Sequence, residues 1–184
     1  MSKDPFTLRF YGDPVLRRKA DPVLAVTPEV RAIIWGMFEC MYRERGVGLA
    51  APQVGVSRRI FVVDVEGEEG ARSKFAIVNP VMKHKDGSIL GEEGCLSIPG
   101  IHADVKRHKE VVFEGLDEDG KPIVVRGEGL LARALQHELD HLDGILFIDR
   151  LSAIRRKLLE AKLARMHFGE EDRSASSTEA SPPL

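Results

Sequence analysis

The chain has 184 residues, 43% of them hydrophobic, and a formal net charge of -2 from 27 basic and 29 acidic side chains. That content suits one globular domain with its own core, and the near-neutral balance excludes a nucleic-acid footprint or polybasic membrane patch spread over the molecule. With no apolar run near the ~20 residues of a membrane span, no apolar leader and only Cys40 and Cys95 as cysteines, the expectation is a soluble protein of a reducing compartment: the cytoplasm, or an organelle stroma or matrix.

Thr27-Pro28 reads as a helix cap followed by proline at the first helical position. Val30, Ile33, Ile34, Met37 and Met41 then recur at helical spacing and predict an amphipathic helix over about 28–43. Cys40 falls among its apolar neighbours as a small buried hydrophobe. Next comes Gly46–Gly55, three glycines and a proline around Gln53. Glycines allow close backbone approach, so this stretch is either an ordinary loop or a surface offering hydrogen bonds to a peptide-like ligand.

Ile60-Phe61-Val62-Val63 and Phe75-Ala76-Ile77-Val78, on either side of the polar stretch Glu66–Ser73, predict two strands. Glu93–Gly100 is rich in turn formers and holds Cys95. Val111-Val112-Phe113 and Ile123-Val124-Val125 flank Asp117–Gly120, a hairpin signal. After Gly127 and Gly129 the pattern turns helical through Leu130, Leu131, Ala134, Leu135 and Leu142, apolar enough to be mostly buried. A third helix over about 153–166 starts at Ser152 and carries Arg155, Arg156, Lys157, Glu160, Lys162 and Arg165. Those charges form either a solvated face or a docking surface for an acidic partner. Residues 169–184 have almost no apolar content and predict a disordered tail. The order is α+β: mixed or antiparallel strands packed around a buried metal-binding helix, with a C-terminal helix, in one domain over residues 1–168.

The metal expectation comes from His137-Glu138-Leu139-Asp140-His141 on the second helix. Histidines four apart share a helix face and can grip one ion, with Glu138 beside them as a general base. A catalytic site needs a third protein ligand. Metzincin proteases take it from a later histidine, but Phe147 stands at that position here. Glu160 is the downstream glutamate that a gluzincin would use, although it sits in a charged stripe. Cys95, in a turn-rich segment where a core cysteine is out of place, is the other candidate.

Three segments together resemble peptide deformylases. The motifs of that family are Gly-x-Gly-Leu-Ala-Ala-x-Gln, Glu-Gly-Cys-Leu-Ser and Gln-His-Glu-x-Asp-His. They stand complete here as Gly46–Gln53, Glu93–Ser97 and Gln136–His141, in the family's order. Gly12–Arg17 is similar to the family's N-terminal segment, and the likeness runs from about residue 7 to 166.

The resemblance implies Cys95, His137 and His141 as metal ligands, Glu138 as the base, and Gln53 with the Leu96 N–H as oxyanion donors. It implies ferrous iron, with zinc, nickel or cobalt as substitutes. It implies hydrolysis of the formyl group from N-formylmethionyl ends of new polypeptides. Val47, Leu130 and Ala134 match positions lining the methionine pocket, and Gly48 and Gly94 are the remaining substrate-binding positions. Arg133 and His102 depart from the family pattern: Arg133 stands where relatives carry an aliphatic residue, so its stem lines the pocket or it points away. Glu93 and Arg107 are expected to pair and steady the cysteine segment. Ribosome contact through the C-terminal helix is a further expectation, with no membrane and no direct nucleic-acid motif.

Overall fold

The computed structural model describes residues 6–67, 70 and 72–168; the expected tail at 169–184 lies outside the described residues. Along the chain stand α1 (Pro28–Arg43), β1 (Gly48–Ala50), β2 (Ile60–Glu66), β3 (Arg72–Asp86), β4 (Ile89–Cys95) and β5 (Ile98–Arg107). They are followed by β6 (Glu110–Leu116), β7 (Pro122–Glu128), α2 (Gly129–Leu142) and α3 (Ala153–Phe168). An antiparallel five-stranded sheet runs β1-β2-β3-β6-β7, and β4 pairs with β5 in a separate two-stranded sheet.

Local chemistry explains the boundaries. The Thr27 hydroxyl accepts the Val30 N–H at the start of α1, with Pro28 in the first turn. The Asp117 carboxylate accepts the N–H groups of Asp119 and Lys121, and Gly120 takes a φ of +81°, closing the β6–β7 hairpin.

β2 is apolar at nearly every position because both of its faces are covered. Ile60 and Val62 enter one core with Ile34, Met37, Phe38 and Met41 of α1. Phe61, Val63 and Val65 enter a second core with Ala132, Ala134, Leu135 and Leu142 of α2. A one-residue slip of β2 would exchange the two sets, so packing fixes its register. Each such side chain contributes about 1.5–3 kcal/mol when fully buried.

A third core joins Cys95, Ile98, Ile101 and Val105 of the two-stranded sheet to Leu146, Phe147, Ile148 and Leu163. α2 therefore lies between the five-stranded sheet and the β4–β5 hairpin. On α3, Leu163 is buried while Ile154 and Leu158 are each 76% exposed. No helix among the described residues is long and apolar enough to cross a membrane.

Two segments differ from the sequence expectation. Gly48–Ala50 is a buried edge strand rather than part of a loop. Cys95 ends β4 opposite Ile98 rather than sitting in a free turn, and β4–β5 as a whole was not signalled by an apolar run.

Candidate metal centre

α2 presents His137 and His141 on one face, and the end of β4 brings Cys95 against them. Cys95 Sγ lies 3.2 Å from His141 Nε2, which lies 3.2 Å from His137 Nε2. The donor atoms of the three all fall within 4.8 Å of one another, and all three residues are buried. Tetrahedral coordination with bonds of ~2.0–2.3 Å needs donor separations of roughly 3.3–3.6 Å, so the trio fits one metal ion.

The electrostatics of the trio agree. Burial alone favours neutral imidazole at His137, but Cys95 and Glu93 outweigh it and raise its pKa to about 10. One thiol and two imidazoles are a donor set that suits a divalent ion, which would deprotonate the thiol on binding. His141, buried beside His137, is instead held well below its usual pKa.

Glu138 is fully buried, and neither carboxylate oxygen has a hydrogen-bond partner among the described residues. An unpartnered buried carboxylate is costly, and one beside three metal-type donors is placed to meet a water or substrate. Burial pushes its carboxyl up to about 7; a divalent ion nearby would pull it back down. Gly48 makes room for it, since a Cβ there would lie 2.4 Å from Glu138 Oε1.

Gln53, on the short 3-10 turn Ala51–Val54, has a fixed amide orientation. Its Oε1 accepts the Ala50 N–H at 2.8 Å, which turns Nε2 toward Ser97 Oγ at 3.1 Å and Cys95 Sγ at 3.5 Å. A neutral donor thus points into the centre. Leu96 follows Cys95 and is buried, with its side chain over Gly46, where a Cβ would lie 2.7 Å from Leu96 Cδ1.

Behind the histidines runs a buried chain of alternating charge. Glu93 Oε2 accepts the Nδ1–H of His137 at 3.0 Å, which leaves Nε2 for a metal. Arg107 donates to both Glu93 oxygens, at 2.7 and 2.9 Å, and to Asp140 at 2.6 Å. Asp140 also accepts from Arg150, at 3.0 Å through Nε. Burial opposes ionisation of Glu93, yet Arg107 and His137 outweigh it and hold the carboxyl well below the usual carboxylate range. The expected Glu93–Arg107 pair is therefore present. Asp140 and Ser97, which the sequence reading did not single out, complete the surroundings; both already lay inside the motifs.

Arg133 reaches from α2 to Glu93, with Nη1 at 2.8 Å from Oε1. Ala134 is wholly buried, Val47 partly buried against the same core, Gly48 and Gly94 buried, and Leu130 46% exposed at the start of α2. His102 is exposed on β5. Glu160 is exposed on α3 and absent from the ligand cluster, so the gluzincin alternative fails. Phe147 packs its ring on His137, with centroids 6.3 Å apart, where a metzincin would place a ligand.

Comparison with known proteins gives the family. The polypeptide deformylase family model matches residues 6–157. This chain belongs to the polypeptide deformylase family. It is 46% identical over 155 residues to the peptide deformylase of Thermodesulfovibrio yellowstonii, covering 84% of this chain and 94% of that one. It is 49% identical over 151 residues to that of Acidothermus cellulolyticus, covering 82% and 81%. Among solved structures, the Legionella pneumophila peptide deformylase superposes with a TM-score of 0.80 at 43% identity, over 87% of this chain and 94% of that one. The Synechococcus elongatus deformylase, solved in complex with actinonin, gives 0.80 at 40% identity, over 88% and 90%.

Proposed function

We propose that this chain hydrolyses the N-formyl group from N-formylmethionyl ends of newly made polypeptides, releasing formate and a free amine. The observation that carries the reading is the unpartnered carboxylate of Glu138, buried against Cys95, His137 and His141 in a deformylase frame. Cys95, His137 and His141 would hold a divalent ion. When bound, the ion acts as a Lewis acid that eases deprotonation of water and polarises a carbonyl.

The remaining work falls to the side chains. Glu138 takes a proton from the attacking water, whose oxygen bonds to the formyl carbon. The formyl carbon–nitrogen bond then breaks, and Glu138 hands its proton to the leaving nitrogen as the amine departs. Developing negative charge on the formyl oxygen is met by Gln53 Nε2, whose amide is held by the Ala50 N–H, and by the Leu96 N–H. Gly48, beside Glu138, and Gly94, one residue before Cys95, are the positions assigned to the substrate's peptide backbone. Val47, Leu130 and Ala134 take the methionine side chain. The half-exposed Leu130 serves as the rim and the buried Ala134 as the floor.

We assign ferrous iron as the ion, with zinc, nickel or cobalt able to replace it. Ligand types alone accept all four, and supply decides between them. Iron(II) beside a thiolate makes activity oxygen-sensitive; an iron form with undiminished activity after prolonged aeration would contradict this assignment. The cytoplasm, or an organelle with its own translation, is where such substrates arise. Ribosome contact falls to α3, which exposes Ile154 and Leu158 and carries Arg155, Arg156 and Lys162. Neutralising these three cations should lower co-sedimentation with ribosomes, and unchanged co-sedimentation would remove that role.

The test of the reaction compares formyl-Met-Ala-Ser with acetyl-Met-Ala-Ser on one metal-loaded preparation. Formate and free Met-Ala-Ser from the first peptide, with no cleavage of the second, is the expected result. Cleavage at an internal peptide bond would instead indicate a protease.

A further inference from the structure

We propose that Arg133 is a positioning residue for the metal centre: it locks Glu93 against His137 and ties the helix bearing two ligands to the hairpin bearing the third. The inference deepens the metal assignment above and rests on it.

Arg133 and His137 stand four apart on α2, so both side chains leave one helix face and meet the same carboxylate. Each oxygen of Glu93 receives two donors. Oε1 takes Arg107 Nε and Arg133 Nη1; Oε2 takes Arg107 Nη2 and His137 Nδ1. Arg107 by itself neutralises Glu93, because it spans both oxygens. What Arg133 adds is a tie from the helix that bears His137: without it Oε1 is held only by Arg107 on β5, and the carboxylate is bound to α2 through the imidazole alone.

The same guanidinium nitrogen reaches two backbone carbonyls, Val105 O at 3.0 Å and Gly91 O at 3.2 Å. Gly91 and Val105 face each other across β4 and β5, so both acceptors come from one cross-strand pair. Cys95 lies four residues along β4 from Gly91. Arg133 thus fastens α2, with His137 and His141, to the strand that supplies Cys95. Ligands on two elements hold one ion only if their separation is fixed, and this contact fixes it.

Gly91 is part of the device. A Cβ there would lie 2.6 Å from Arg133 Nη2 and 3.1 Å from its Cζ, so the guanidinium would have to leave its place. The Arg133 side chain is only 9% exposed, and a buried guanidinium persists where its donors are used. Of the two expectations for Arg133, lining the pocket or pointing away, its contacts with Glu93, Gly91 and Val105 match the second.

The experiment measures the rate at which metal-loaded protein loses its ion to a chelator, alongside kcat and KM for formyl-Met-Ala-Ser, in Arg133→Leu, Arg133→Lys, Gly91→Ala and the Gly91→Ala/Arg133→Leu double variant. Arg133→Leu should release metal roughly 10–100-fold faster, with kcat falling and KM unchanged. Arg133→Lys should recover part of the loss, since one ammonium can donate to the three acceptors that Nη1 alone serves but must bring its nitrogen to the same point on a differently shaped stem. Gly91→Ala should move metal release in the same direction, and should add nothing in the Arg133→Leu background. If Arg133→Leu does not fold, Gly91→Ala, which keeps every residue of the network and displaces only the Arg133 guanidinium, carries the test alone. Wild-type metal retention in the folded variants would overturn the proposal, as would a rise in KM with metal retention unchanged. Failure of the unsubstituted protein to bind one divalent ion would refute the metal assignment rather than the role of Arg133.

Discussion

Gly48→Ala puts one methyl group against the proposed base. The added Cβ would stand 2.4 Å from Glu138 Oε1, 3.0 Å from Cδ and 3.2 Å from Cγ, whereas ordinary contact begins at 3.4 Å. Glu138 has no exposed surface and Gly48 is locked into pairing with Val63, so neither side has slack. The carboxylate oxygen must retreat by about 1 Å, and misplacement of that size at a reacting centre costs roughly 10²-fold in rate. That corresponds to about 2.7 kcal/mol in the barrier. The three atoms nearest the new methyl group all belong to Glu138, so metal content should stay at the wild-type level while kcat falls. Crowding should also lower stability by about 1–3 kcal/mol, which a thermal melt monitors separately. Steady-state kinetics on formyl-Met-Ala-Ser, with metal measured on the same samples, is the assay. A wild-type kcat in a fully metallated variant would refute the placement of Glu138. A rise in KM alone would mean that Gly48 acts on substrate and leaves the base undisturbed.

Gln53→Ala should slow formate release by roughly 10²–10³-fold through loss of one oxyanion donor; full activity would remove Gln53 from that role. Cys95→Ala should abolish stoichiometric metal binding measured by elemental analysis while Glu160→Ala leaves it intact, and the reverse pattern would restore the gluzincin alternative. Burial raises the Cys40 thiol from 9.0 to about 11, so folding holds its proton more tightly than unfolding does. The resulting stabilisation is complete below pH 9 and is lost as pH rises through about 11. Denaturant melts across that window should show a steeper fall for the wild type than for Cys40→Ala, and parallel curves would contradict the buried-thiol account.

Much of the architecture was legible because local rules and tertiary packing agree. Thr27-Pro28 with its apolar periodicity gave α1 with its bounds, and Asp117–Gly120 gave the β6–β7 hairpin. The apolar run at Ile60–Val63 announced β2, although only the structure shows that it reads as a run because two cores share it. β4 and β5 were illegible for a physical reason. Their inward positions include Glu93 and Arg107, charges that can be buried only because each is the other's partner, and pairing leaves no periodicity in the sequence. Gly48–Ala50 was hidden likewise, since three residues are too few for a pattern. At the site, spacing on α2 exposed His137, Glu138 and His141 as a unit, and the Glu-Gly-Cys-Leu-Ser resemblance brought in Cys95. Arg133 showed its departure from the family pattern but not its direction, because its partners lie on β4 and β5.

The central claim is that Glu138 moves the proton while Cys95, His137 and His141 hold the ion. Formate release from formyl-Met-Ala-Ser, by anaerobically prepared iron(II) protein beside its Glu138→Ala variant with metal content verified in both, tests it most directly. Rapid release by the first and a rate at least ~10²-fold lower in the second, at equal metal content, is the expected result. Equal rates would contradict it, and so would no release by either metallated protein.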